Sequence, residues 1–280
     1  MELAPDAMLA EPTFEVFPAR GVEAAAAQLP PGARVAVSCS PRRGLDATLE
    51  LCERLSRHGL EPVPHLAARL VRGHAELERL VQRLAALRLR EVFVVGGDAP
   101  APAGPYPSAL ALLRGLAAAG ADLRRVGVAA YPAGHPFLDD ETLLRSLGDK
   151  QPLASYLVTQ LCFDPEAIAR WVAGARRRGI RLPVHVGLPG VVSTGKLLRF
   201  ALRIGVATSA RMLARHADLA GRLLAPGEYR PDALLGGLAS ALQGADQPVE
   251  ALHLYTFNEV GRTEAWRWQR LHQRLHASAT

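Results

Sequence analysis

A few residues in this chain have the chemistry to move a proton or stabilise a charge, and they recur at regular intervals. Glu15 lies in Thr13-Phe14-Glu15-Val16-Phe17-Pro18. A carboxylate buried among aromatics keeps its proton more readily, because burial disfavours the charged form. Such a group can donate or accept a proton near neutral pH. Outward projection from an edge strand is the alternative. Asp98 follows the strand-like run Val92-Phe93-Val94-Val95 and two glycines, Gly96 and Gly97. Those glycines would let backbone approach a flat or anionic ligand closely. Asp98 would then stand at the C-terminal end of a parallel strand, where α/β folds place their chemistry. Gly-Gly-Asp is also ordinary turn chemistry. Ser38, His65, Tyr131, His135, Gln160 and Asn258 occupy comparable positions after other apolar runs. Asn258 is the only asparagine, so it reads as either a turn residue or a site residue.

Several chemistries do not fit this set. There is no HExxH, and the histidines have no zinc-ligand spacing. A triad could be drawn from Ser38, His65 and Asp98, but nothing like a nucleophile elbow surrounds Ser38. A Schiff-base enzyme needs a lysine at a strand end. The two lysines, Lys150 and Lys196, read as helix or loop residues. No P-loop is present. What remains is a set of acids, hydrogen-bonding groups and aromatics without a nucleophile, which suits a protein that leaves the hard chemistry to an organic cofactor.

The elements that must position these groups alternate. Strand-like runs fall at 13–18, 34–38, 61–66, 92–95, 126–130, 156–161, 182–187 and 249–256, with helical patterns between them. Asp140 is expected to cap the helix after strand five, and Asp164-Pro165 to start the one after strand six. Short helices are expected over 195–204, 209–223 and 231–242. Arg262 to His276 closes the chain, with Trp266 and Trp268 as packing residues. Eight such units in 280 residues predict a closed parallel (βα)8 barrel, of TIM type, with extra helices before the last strand. A doubly wound open sheet is the alternative, but no GxGxxG opens the chain. Residues 1–12 read as a loose leader and 13–280 as one catalytic domain.

Apolar residues make up 49% and charged residues 21%, a globular balance. No apolar run is long enough to cross a bilayer, and the first residues lack a secretory signal. Cys39, Cys52 and Cys162 form no CxxC pair, which suits a reducing cytoplasm. The net charge of +6 is almost all arginine spread over many helices, not gathered on one face with aromatics. The expectation is a cytoplasmic protein that binds neither nucleic acid nor membrane, with homo-oligomerisation left open.

Taken in order, the motifs resemble 5,10-methylenetetrahydrofolate reductase, the flavin-dependent barrel family of one-carbon metabolism. The carriers are FEVFP at 14–18, EPVPHL at 61–66, VGGDAP at 95–100, AAYPAGHP at 129–136, VTQLCFD at 158–164, LRFALRIGV at 198–206 and LHLYTFN at 252–258. The resemblance implies FAD as cofactor, NADH or NADPH as co-substrate, and a folate substrate. It implies Glu15 as general acid for opening the substrate to its 5-iminium cation, and Asp98 as the charge that stabilises that cation. It implies Gln160, Phe200, Phe257 and Asp98 as substrate contacts. Ser38, His65, Gly96, Gly97, Asp98, Tyr106, Tyr131, His135 and Lys150 would contact flavin. Four positions depart from the family's usual pattern. Gly96 stands for an arginine, Cys39 for a tyrosine, Asp149 for a basic residue and Glu259 for an arginine. A flavin-free reductase with direct hydride transfer from the nicotinamide, and a non-catalytic folate- or flavin-binding barrel, are the alternatives.

Overall fold

Eight strands pair edge to edge, all parallel, and the last returns to the first. The computed structural model describes residues 7–40, 42–203, 227–242 and 249–277. The barrel strands are β1 (Thr13–Val16), β2 (Arg34–Val37), β3 (Glu61–Ala67), β4 (Glu91–Val95), β5 (Arg125–Ala130), β6 (Tyr156–Thr159), β7 (Val184–Pro189) and β10 (Val249–Tyr255). Each neighbours the next in this order, and β10 closes against β1. Two short strands, β8 (Val192–Ser193) and β9 (Glu228–Tyr229), pair antiparallel outside the barrel. This is a (βα)8 barrel.

The helices between strands are α1 (Val22–Ala26), α2 (Gly44–Arg57), α3 (His74–Ala86), α4 (Ala109–Ala118), α5 (Asp140–Lys150) and α6 (Pro165–Arg177). Before the last strand come α7 (Thr194–Arg203) and α8 (Asp232–Ala241), and α9 (Val260–Ala277) follows it. The helix expected over 209–223 lies outside the described residues. Side chains that accept orphan backbone N–H groups start several of these helices. Ser108 accepts from Ala111, and Asp164 from Ala167 with Pro165 at the first turn. Asp139, not the expected Asp140, caps α5 by accepting from Thr142. Either aspartate fits the sequence, but only Asp139 has the extended backbone a cap requires.

Strand side chains alternate between two faces. Phe14, Val16, Val35, Val37, Leu66, Val92, Val94 and Val186 point outward into the layer shared with the helices. Ala36, Val63, Phe93, Tyr156 and Val158 fill the barrel itself. Residues 7–12 are not loose: Leu9 is fully buried, and Arg267 of α9 donates to the carbonyls of Leu9 and Ala10 at 3.0 and 3.1 Å. Trp266 is buried and donates to Asp232 of α8 at 3.0 Å. Trp268, expected to pack, is instead exposed and stacks on His272 at 3.6 Å. No helix among the described residues is long and apolar enough to cross a membrane.

Candidate active site

Because β10 closes on β1, residues from the two ends of the chain meet inside the barrel. Glu15 pairs in register with Tyr255, two places beyond the Thr13–His253 pair. The backbone there is fixed twice: Thr256 donates its hydroxyl to the Glu15 carbonyl at 2.6 Å, and Asn258 clamps Phe17. The Asn258 amide donates to the Phe17 carbonyl and its oxygen accepts from the Phe17 N–H, both at 3.0 Å. Asn258 is thus a positioning residue for the β1 exit, and its φ of 63° is one that asparagine tolerates better than most residues.

The Glu15 carboxylate faces imidazoles, not aromatics. His253 donates from Nε2 to Glu15 Oε2 at 2.8 Å. His65 Nε2 lies 3.9 Å from the same oxygen, beyond hydrogen-bond reach, and is buried with no partner. Burial pushes the Glu15 pKa up, but the two facing imidazoles, His65 by its position and His253 by its hydrogen bond, outweigh it and leave the group below its ordinary value. The expectation of a raised pKa is therefore overturned. Phe14 flanks Glu15 in sequence, but alternation sends its ring to the opposite face of the strand. Burial also pulls His65 down to about 4, with Glu15 opposing, so His65 is neutral near pH 7. Its ring packs on Phe93 at 4.6 Å.

Tyr255 links this centre to the far wall. Its hydroxyl donates to the Thr159 carbonyl at 3.0 Å. Burial raises its pKa, and the charges of Glu15 and Tyr131 raise it further. Gly187 makes the arrangement fit: a Cβ there would stand 2.1 Å from the Thr159 carbonyl oxygen and 2.5 Å from the Tyr255 ring. Burial, and then the charge of Asp98, raise the pKa of Tyr131. Burial lowers that of His135, with Asp98 opposing. The Tyr131 and His135 rings meet edge to face at 5.0 Å. Asp98 itself is exposed, just beyond Gly97, whose φ of 92° favours glycine. A run of electrostatic neighbours thus leads from Glu15 through Tyr255 and Tyr131 to Asp98.

The other sequence-selected residues fall into three situations. Gln160 sits at the β6 exit, its oxygen accepting from the Leu161 N–H at 2.8 Å. Phe200 of α7 lies between Phe17 and Phe257, at ring distances of 5.6 and 5.0 Å. Ser38 turns its hydroxyl to the Val16 carbonyl at 3.1 Å. Tyr106 is directed away, its hydroxyl bonded to His74 of α3 at 2.8 Å in the helix layer. Lys150 ends α5, buried and without a hydrogen bond or ion pair among the described residues, and burial draws its pKa down to about 8. No contact joins Tyr106 or Lys150 to Glu15.

Sequence reading missed His253, Tyr255 and His185. All three alternate with outward leucines or valines in β10 and β7, and that alternation was the available signal. His185 is buried, stacks on Tyr156 at 4.4 Å, and has no hydrogen bond at either ring nitrogen. Burial pulls it down to about 3, assisted by His253, Arg125 and Arg34. Despite three interior histidines, no three ligating side chains among the described residues are placed to share a metal ion. A groove of about 720 Å³ lies elsewhere, between α1, α9 and the β8–β9 pair. Its carboxylates are tied to arginines, Glu228 to Arg262 and Glu264 to Arg267, so it offers no free acid.

The sequence profile of methylenetetrahydrofolate reductase matches residues 42–265. Among solved structures, the chain is similar to a provisionally assigned lyase/mutase from Burkholderia cenocepacia J2315, at 13% identity over 98% of this chain and 87% of that one, with a TM-score of 0.49. It is similar to a provisionally assigned phosphonomutase from the same organism at 13% identity over 99% of both chains, with a TM-score of 0.48. It is also similar to Rhizobium etli pyruvate carboxylase at 10% identity, over 96% of this chain and 29% of that one, with a TM-score of 0.47. Likenesses at this level carry no argument about chemistry.

Proposed function

The chain belongs to the methylenetetrahydrofolate reductase family, and from that premise we propose that it reduces 5,10-methylenetetrahydrofolate to 5-methyltetrahydrofolate with NADH or NADPH through bound FAD. The observation that carries the reading is the Glu15–His253 pair, an acid and a base in contact beside the Tyr255–Tyr131–Asp98 run. Opening the substrate ring requires a proton at the departing nitrogen, and Glu15 supplies it. Asp98 would supply the negative charge that favours the cationic intermediate.

The residues present suit a flavin in part. The orphaned Nε2 of His65 and the bare backbone of Gly96 and Gly97 support a flat heteroaromatic ring over β3 and β4. Tyr131, His135, Ser38 and Lys150 would complete its surroundings, whereas Tyr106 is turned to His74. Bound there, flavin supplies the hydride relay between nicotinamide and folate. Gln160, Phe200 and Phe257 would border the pterin. Three observations favour a second reading, in which nicotinamide passes hydride directly to folate. Gly96 offers no cation, Ser38 has spent its donor on Val16, and Tyr106 is engaged by His74.

One experiment separates them. The purified protein is mixed with FAD, reduced anaerobically with NADH, then given methylenetetrahydrofolate while the visible spectrum is followed. The flavin bands are expected to bleach and return. Glu15→Gln is expected to bleach normally and return at least about 100-fold more slowly, since a positioned general acid contributes at least that much. Methyltetrahydrofolate formed without flavin would establish the second reading. Equal loss of both half-reactions in Glu15→Gln would remove Glu15 from its role.

A further inference from the structure

We propose that His253 holds the proton for Glu15, so that the acid of this barrel is the Glu15–His253 pair and not Glu15 alone. The proposal rests on the folate-reducing reading above and adds a positioning residue to it. Two imidazoles face the carboxylate, one from β3 and one from β10. Only His253 makes a hydrogen bond, at 2.8 Å to Oε2, with its ring buried. His65 stops at 3.9 Å and stays neutral because burial disfavours its cation. The remaining groups around the pair are hydroxyls, Tyr255 on the same strand as His253 and Tyr131 beyond it. His185 of β7, whose own value His253 helps to lower, is kept neutral by burial. No lysine or arginine among the described residues pairs with Glu15.

A carboxyl kept below its ordinary value is a poor general acid at neutral pH, because it has already lost its proton. The bond to His253 resolves this. As the C–N10 bond of the substrate breaks, its electron pair stays on nitrogen, which takes through Glu15 a proton that His253 supplies. The proton on His253 Nε2 moves along the hydrogen bond to the carboxylate. The pair ends one proton short, with His253 neutral and Glu15 ionised, and a solvent proton restores it. No electron leaves or enters the pair in this step.

The test uses His253→Gln, which keeps an N–H donor to Glu15 but cannot carry the proton, and His253→Phe, which keeps ring volume and removes the donor. Both are checked for folding by thermal melting. In the holoenzyme, His253→Gln is expected to slow reduction of methylenetetrahydrofolate at least about 10-fold at pH 7 and to move the rate optimum to lower pH. Fresh pH dependence identical to wild type would show that His253 only packs, and would overturn the proposal. A second readout needs no turnover. In protein labelled with ¹⁵N-histidine, the His253 ring signals are expected to titrate jointly with Glu15 and to lose that step in Glu15→Gln. An unmoved titration would also overturn the proposal. If wild-type protein reduces no folate yet shows the joint titration, the pair stands and the folate reading falls.

Discussion

Lowering the pH from 7 to 5 should destabilise this protein through two interior histidines before any carboxylate contributes. Burial holds His65 near 4 and His185 near 3, against an ordinary value of 6.5. A histidine whose folded pKa is depressed contributes stability above 6.5. That contribution is lost as pH falls, because the unfolded chain binds the proton and the folded one does not. One pKa unit corresponds to about 1.4 kcal/mol. At pH 5 the unfolded imidazole lies about one and a half units below its midpoint while both folded ones remain neutral. Each histidine therefore removes about 2 kcal/mol, and the pair about 4 kcal/mol. Glu15 adds nothing in this window, since its folded pKa lies below its ordinary value. A loss of about 4 kcal/mol is a large share of the roughly 5–15 kcal/mol that stabilises a typical protein. It corresponds to a fall of about 8 °C in Tm at this chain length. His185→Phe keeps the stack on Tyr156 and deletes two ring nitrogens that make no hydrogen bond, one of them 3.8 Å from Glu250. Urea unfolding at pH 7, 6 and 5, followed by tryptophan fluorescence, should show the variant losing about 2 kcal/mol where wild type loses about 4. Parallel losses in the two proteins would refute the assignment of acid sensitivity to His185.

Three further outcomes follow from the same contacts. Asn258→Ala removes both bonds to Phe17 and places alanine at positive φ, which should cost about 2–4 kcal/mol in denaturant unfolding; Asn258→Gly should recover only the backbone part. Gly187→Ala should cost at least about 3 kcal/mol or prevent folding, because its Cβ meets the Thr159 carbonyl, and a variant as stable as wild type would contradict the close approach. Arg267→Met should leave the barrel folded while releasing residues 7–12, read as new protease cleavage before Thr13, since Arg267 donates to the Leu9 and Ala10 carbonyls.

The barrel was legible because each strand announces itself locally. The run Val92 to Val95 is β-branched and aromatic, and a glycine pair ends it. Asp164-Pro165 marks a helix start with two independent signals, and the structure places the cap there. The partners of the site residues were less legible. Tyr106 follows a proline-rich loop and looks available to a ligand, yet it meets His74, which is 32 residues away on α3. The leader looked loose because Met1 to Pro12 has no periodicity of its own. Leu9 and Ala10 within it are held by Arg267, more than 250 residues later, and no local pattern records such a contact.

Glu15 shows why chemistry is harder to read than fold. Its sequence neighbours are Phe14 and Val16, and they are the two residues that cannot surround it, because adjacent strand side chains point to opposite faces. Its spatial neighbours come from β3 and β10, and they reach it only because eight parallel strands close and bring residue 253 beside residue 15. The Glu15–His253 contact is therefore a property of closure. An open sheet with the same strands would leave Glu15 at an edge, with His253 on the opposite one, and its carboxylate would titrate in water without a partner. The aromatic setting suggested by the sequence would have raised the carboxyl pKa and made Glu15 sufficient as an acid. The histidine setting lowers it, which is why our proposal assigns the proton to the Glu15–His253 pair.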